Sequence, residues 1–129
     1  MQTNPGARHA PVRVVAGRWL AALGAVLAAL AVGLAAYASH GVEGEAQSRL
    51  QSAALFLFGH GVALAALAPL AAGRLWRVIA LLALAVGTLL FSGSLALHVF
   101  LQWPTALAPT GGTLMMVGWL VWAVAAVRQ

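Results

Sequence analysis

Residues 76–100 read WRVIALLALAVGTLLFSGSLALHVF and carry one charged side chain, Arg77, next to their start. A helix rises about 1.5 Å per residue, so about 20 apolar residues cross the hydrocarbon core of a bilayer. The stretch is longer than that and lacks the alternation of apolar and polar residues that is typical of barrel strands. It therefore predicts a transmembrane helix.

Three further apolar stretches of similar length surround this one. With it, they place predicted helices at about 19–39, 52–72, 76–100 and 105–127. Because the connections are short, the sequence predicts an all-α integral membrane four-helix bundle in up-down-up-down order. Pro109 and the Gly111-Gly112 pair disfavour helical backbone, so we expect the fourth helix to begin near Gly111, with residues 104–110 in the interface.

The composition excludes several classes of protein. Of the 129 residues, 63% are hydrophobic and only 7% are charged, whereas a soluble domain carries about a quarter charged residues. Cysteine is absent, which excludes disulfides and thiolate sites, and Glu43 and Glu45 are the only acidic side chains. No nucleophile–base pair or nucleotide-binding motif is visible. We therefore expect no enzymatic activity, no cofactor and no bound metal.

The arginines predict the orientation in the membrane. Six of them fall on one side of a four-span protein, namely Arg8, Arg13, Arg18, Arg74, Arg77 and Arg128. Arg49 falls on the other side, with both glutamates. The positive-inside rule then places both termini in the cytoplasm. The net charge of +5 follows the ends of the apolar segments, so it indicates membrane orientation and not nucleic-acid binding.

Residues 1–17 are polar and basic and contain Pro5, Gly6 and Pro11. They predict a disordered cytoplasmic tail before a four-span domain at 18–129. A second interpretation is a signal peptide cleaved after Ala36-Tyr37-Ala38, which resembles a cleavage site with small residues. The apolar core is longer than such peptides usually have, which favours a retained first helix.

His60 is the clearest ionisable group within a predicted span, about 12 Å below the outer boundary. Ser92 and Ser94 lie at a similar depth in the third helix, so we expect the imidazole to be neutral, to face the bundle and to hydrogen-bond to one of these hydroxyls. Such a network either holds helices together or relays protons, and the sequence favours the first role.

A second polar cluster is predicted at the outer mouth of the bundle, formed by His40, Glu43, Glu45 and His98. These side chains have the chemistry of a small N/O metal site, but their spacing matches no strong metal motif. His60 and His98 differ in depth by one to two turns, which argues against a bis-histidine haem.

Small residues at helical spacing predict close helix packing. The candidate packing positions are Gly24, Gly33, Gly93, Gly111, Gly112 and Gly118.

Four motifs, in order, resemble the YgdD-like small membrane proteins, also known as domain of unknown function 423 or uncharacterised protein family 0382, with the vertebrate transmembrane protein 256 as a relative. They are Ala38-Ser39-His40-Gly41-Val42, His60-Gly61-Val62-Ala63-Leu64, Leu90-Phe91-Ser92-Gly93-Ser94-Leu95, and Pro109-Thr110-Gly111-Gly112 with Gly118-Trp119. The chain departs from the family pattern at Phe56-Leu57, where Tyr-Gln is frequent, and at Ala96, where Tyr is frequent; His98 is outside the pattern.

The resemblance implies a multi-pass plasma-membrane protein and no established reaction, substrate or cofactor. With the scarcity of ionisable groups, it favours a non-enzymatic membrane protein that assembles with another membrane protein or with itself. The alternative is a small transporter or proton-coupled channel that uses His60, Ser92 and Ser94.

Overall fold

The computed structural model describes residues 12–128 and consists of four α-helices. They are α1 (Val12–His40), α2 (Gly44–Leu67), α3 (Leu75–Leu101) and α4 (Ala108–Val127), and a 3₁₀ turn, Ala68–Ala71, extends α2. Each helix contains a stretch that is long and apolar enough to cross a bilayer. The prediction of an all-helical four-helix bundle with four candidate spans is confirmed.

Helix α1 begins earlier than the sequence suggests. Of the predicted tail at 1–17, residues 1–11 lie outside the described part of the chain, and the remainder from Val12 onward is helical. Gly17, within this extension, packs close to the end of α2, since a Cβ there would lie 3.4 Å from the backbone carbonyl oxygen of Ala68.

Helix α2 also begins earlier than predicted, at Gly44 and not near residue 52. Most of the predicted loop at 40–51 is therefore helical. The added turns are polar, and Glu45 and Arg49, four residues apart, form an ion pair along them. Hydropathy locates apolar spans, so a polar helical extension of this kind is not visible to it.

The connection between the 3₁₀ turn and α3 is only a few residues long. Pro69 lacks a backbone N–H, and at this point the α-helix gives way to the 3₁₀ turn. Gly73 has a φ of +75°, a conformation that glycine adopts without a steric penalty. Helix α3 then matches its predicted bounds of 76–100 to within one residue at each end.

The expectation that α4 begins near Gly111 is wrong. It begins at Ala108, with Pro109 in its first turn, where the missing N–H costs nothing because that group has no helical partner. The backbone N–H of Gly111 donates to the carbonyl of Leu107 at 2.9 Å. Gly111 therefore lies within the helix, where its lack of a side chain has a packing role.

Packing follows the order of the chain. Helix α1 packs on α2, α2 on α3 and α3 on α4, whereas the backbones of α1 and α4 do not approach each other within the described residues. The core between the helices consists mainly of leucines, among them Leu27, Leu57, Leu64, Leu81 and Leu84. Helices α1 and α4 are consequently less buried than α2 and α3.

Two glycines bring α1 and α2 into backbone contact. A Cβ built on Gly24 would lie 2.5 Å from the carbonyl oxygen of Gly61, and one built on Gly61 would lie 2.7 Å from that of Gly24. Ala28 completes the contact, because its backbone nitrogen would lie 2.8 Å from the Gly61 Cβ. The absence of both side chains allows the two backbones to touch.

A similar contact joins α3 and α4. A Cβ on Gly87 would lie 2.7 Å from the carbonyl oxygen of Gly111, and a Cβ on Gly118 would lie 3.0 Å from that of Ala80. Of the six predicted packing glycines, Gly24, Gly111 and Gly118 make such contacts. A Cβ would meet nothing within 4 Å at Gly33 or Gly93, and would make one ordinary contact, at 3.9 Å, at Gly112. None of these three positions brings two helix backbones into close contact.

We expect Gly61→Ala to lower the free energy of unfolding by about 1–3 kcal/mol, because the added methyl group forces the α1 and α2 backbones apart. Unfolding in detergent micelles with increasing sodium dodecyl sulfate measures the change.

Gly59→Ala is the matched control, since it adds the same methyl group two residues away, where nothing lies within 4 Å. It should leave stability unchanged or raise it slightly, as alanine favours helical backbone. Equal stabilities of the two variants would contradict the importance of the glycine contact.

Candidate functional site

His60 lies in the middle of α2 and is 9% exposed. Its neighbour in sequence, Gly61, contacts α1, so this turn of α2 is fixed on one side by backbone packing. The imidazole itself extends toward α4, where it meets Trp119. His60 therefore contacts α4 from a turn of α2 that packs against α1.

Both ring nitrogens of His60 have partners. The indole Nε1–H of Trp119 donates to His60 Nε2 at 3.1 Å, and His60 Nδ1 lies 2.9 Å from the carbonyl oxygen of Phe56. An indole N–H only donates and a carbonyl only accepts. The two bonds therefore coexist only in the neutral imidazole that carries its proton on Nδ1. A doubly protonated ring would have to give up the bond from Trp119.

Aromatic rings surround this imidazole. The ring of Phe56 is stacked with it at 6.0 Å between centroids, and Phe56 in turn meets Phe91 of α3 edge to face at 4.8 Å. The ring of Trp119 lies 6.0 Å from the imidazole. We call His60, Phe56, Phe91 and Trp119 the histidine site; it joins α2, α3 and α4.

The prediction that His60 hydrogen-bonds to Ser92 or Ser94 is wrong. Ser92 Oγ donates to the backbone carbonyl of Ala53 at 2.9 Å, which makes it a separate link between α3 and α2. Ser94 Oγ is buried and has no hydrogen-bond partner. The indole of Trp119 takes the place beside His60 that a serine was expected to fill.

The predicted outer-mouth cluster is not assembled into a site. His98 Nδ1 donates to the carbonyl of Trp103 at 2.8 Å, and Glu45 pairs with Arg49. His40 and Glu43 are exposed. Within residues 12–128, no three His, Asp or Glu side chains lie close enough together to hold a metal ion.

A buried arginine occupies the opposite end of the bundle. Arg77, in the first turn of α3, is 8% exposed, and its Nη1 donates to the carbonyl of Leu70 at 2.9 Å. Its guanidinium carbon lies 5.4 Å from the ring centroid of Trp122, within the range of a cation–π contact. The sequence indicated Arg77 as an orientation signal and not as a packed side chain.

Sequence reasoning missed Trp119 as a partner of His60, and it missed Gly87 as a contact. Both have a signal that is visible in retrospect. Trp119 lies too deep in its span for an interfacial anchor, and an indole N–H at that depth needs an acceptor. Gly87 follows several alanines in the third span, and small residues let another helix approach.

We expect nitrogen-15 NMR of the purified chain to show His60 as the neutral Nδ1–H tautomer at pH 7, because Trp119 and Phe56 together permit no other form. Trp119→Phe removes the only N–H of that ring, so Nε2 loses its hydrogen bond and its nitrogen-15 signal should shift, while the bond from Nδ1–H to the Phe56 carbonyl keeps the same tautomer.

Trp19→Phe makes the same exchange at an exposed ring and should leave the His60 signals unchanged. A double-mutant cycle of His60→Leu with Trp119→Phe should yield a coupling of about 0.6 kcal/mol, the average for interhelical hydrogen bonds in a membrane protein. An Nε2–H tautomer in the unaltered chain would refute the assignment.

Comparison with known proteins identifies a family without a known activity. The model of a family described as "Protein of unknown function (DUF423)" matches residues 34–112, which is more than half of the chain. The matched segment includes His60, Gly61, Gly87 and Gly111; Gly24, the partner of Gly61, lies before it and Trp119 lies after it. No curated protein and no solved structure matches the chain. The length of the family match shows that this chain belongs to the DUF423 family.

Proposed function

We propose that this chain is a non-enzymatic plasma-membrane protein that self-associates through α1, with four spans in up-down-up-down order and both termini in the cytoplasm. The observation that carries the proposal is a face of α1 made of small residues, exposed on the side opposite α2.

The arginines support the orientation. Arg74, Arg77 and Arg128 gather around one end of the bundle, and Arg18 lies at the same end because its neighbour Gly17 faces Ala68. We call this the arginine-rich end. Glu45 lies with Arg49 at the other end, so the asymmetry of positive charge favours a cytoplasmic arginine-rich end.

The chain has no cysteine, so single introduced cysteines report topology directly. In intact cells, we expect Glu43→Cys to react with a membrane-impermeant maleimide and Ala72→Cys to react only after lysis, because the two exposed positions lie at opposite ends of α2.

Each variant is the control for the other, since both must react once the membrane is opened. Labelling of Ala72→Cys but not of Glu43→Cys in intact cells would reverse the proposed orientation.

The small-residue face of α1 consists of five exposed positions at intervals of three or four residues. They are Ala22, Ala25, Ala29, Gly33 and Ala36. The buried residues Leu20, Leu27 and Ala31 lie on the opposite side of the helix, against the rest of the bundle. A Cβ on Gly33 would meet nothing within 4 Å. The face therefore has no partner within the described chain.

In lipid, helices associate by van der Waals packing, and small residues favour association because they let backbones approach. The same device joins α1 to α2 at Gly24 and Gly61. A second copy is the partner that we propose, because its α1 presents an identical face with the same orientation in the membrane. Two such faces meet around a two-fold axis along the membrane normal.

The histidine site supports a structural role over proton transfer. A proton relay through His60 requires the ring to accept a proton on Nε2, the atom that Trp119 occupies. The alternative of a proton-coupled channel using His60, Ser92 and Ser94 also needs these groups to form one chain of hydrogen bonds. Ser92 bonds to Ala53 instead, so the geometry favours the assembly role.

We expect Ala29→Cys to form a disulfide-linked dimer in membranes on mild oxidation, because close approach of the two α1 faces brings the two Cα atoms within the span of a disulfide.

Leu30→Cys is the control, as Leu30 is exposed at the same depth but is rotated about 100° around α1. It should cross-link far less. Equal cross-linking of both variants, or none with Ala29→Cys, would overturn self-association through this face.

A further inference from the structure

A partly open cavity of about 440 Å³ lies between the first turn of α3 and the last turns of α4. Its walls are largely apolar and include Leu75, Leu120 and Val124. Three arginines, Arg74, Arg77 and Arg128, line the same cavity. The cavity thus combines an apolar wall with a cationic rim.

Arg77 is the innermost of these cations. Its Nη1 is bonded to the carbonyl of Leu70, but its Nε is buried and has no hydrogen-bond partner. The guanidinium also lies over the ring of Trp122. A buried cationic group with an unused donor is costly unless an anion compensates it.

No carboxylate of the described chain supplies that anion. Glu43 and Glu45 are the only acidic side chains, and Glu45 is engaged by Arg49 at the other end of the bundle. Arg74 and Arg128 are exposed. The cavity is therefore complementary in charge to an anion from outside the described residues.

We propose that the cavity binds an anionic phospholipid, with its phosphate between Arg74, Arg77 and Arg128 and an acyl chain along Leu120 and Val124. A guanidinium presents paired N–H donors that match phosphate oxygens. Basic pockets between transmembrane helices recognise anionic lipid headgroups in this way. The exposed indole of Trp76 beside the cavity marks the interfacial depth at which a headgroup lies.

The apolar walls distinguish a lipid from free phosphate. A phosphate ion alone would fill the rim and leave Leu120 and Val124 without a contact, whereas a phospholipid covers both. The site is independent of self-association, because the cavity lies between α3 and α4 and the proposed dimer face lies on α1.

The test is native mass spectrometry of the full chain in detergent, titrated with dioctanoyl phosphatidylglycerol or dioctanoyl phosphatidylcholine. The two lipids share acyl chains and differ in net charge. We expect the phosphatidylglycerol complex to be the tighter, and Arg74→Gln or Arg128→Gln to weaken it about fivefold each, the worth of one basic residue near an anionic surface.

Arg18→Gln is the matched control, because it removes the same charge at the same end of the bundle outside the cavity. It should change the affinity less than twofold. A loss as large as that of Arg74→Gln, or equal affinity for both lipids, would overturn the site. Displacement of the lipid by millimolar inorganic phosphate would assign the rim to a free anion and would also overturn the proposal.

Discussion

Close contact between helix backbones is the interaction on which this bundle depends. Lipid tails are as apolar as leucine side chains, so burial of leucine in a membrane gives little drive for helices to associate. What remains is the surface that two helices bring together, and it is largest where no side chain separates them. Gly24 with Gly61, and Gly87 with Gly111, make the closest of these contacts between helices. One contact joins α1 to α2 and the other joins α3 to α4.

Hydrogen bonds between polar groups add to the helix contacts that the glycines allow. Since water does not reach the hydrocarbon core, each buried donor needs a partner within the protein. Two donors meet this demand across helix boundaries: the indole N–H of Trp119 in α4 donates to His60, and the hydroxyl of Ser92 in α3 donates to the Ala53 carbonyl of α2. The Gly61 contact fixes the turn of α2 that carries His60. The backbone packing therefore sets where the imidazole is, and Trp119 sets which of its nitrogens holds the proton.

The differences between sequence and structure come from what hydropathy and length do not report. Hydropathy and length predict the four apolar spans, but they do not predict how neighbouring helices are aligned along their axes. Ser92 bonds to Ala53, about two turns of α2 away from His60, and so does not lie at the depth of His60 as expected. Hydropathy and length also do not predict the direction in which a side chain points around the helix axis. Gly24 and Gly33 have similar neighbours in the sequence, yet only Gly24 faces α2. Hydropathy is likewise insensitive to polar helical turns such as those at Glu45 and Arg49, which explains the shortened prediction for α2.

Helix α4 connects the histidine site with the arginine-rich end of the bundle. Trp119 and Trp122 lie three residues apart and therefore on one face of that helix. The first bonds to His60 near the middle of the membrane, and the second packs on Arg77 at the arginine-rich end. The same face of α4 thus contacts the neutral imidazole of His60 through a hydrogen bond and the guanidinium of Arg77 through the aromatic ring of Trp122. Any movement of α4 against α3 disturbs both contacts at once. The bond to His60 and the contact with Arg77 therefore both fix the position of the same face of α4.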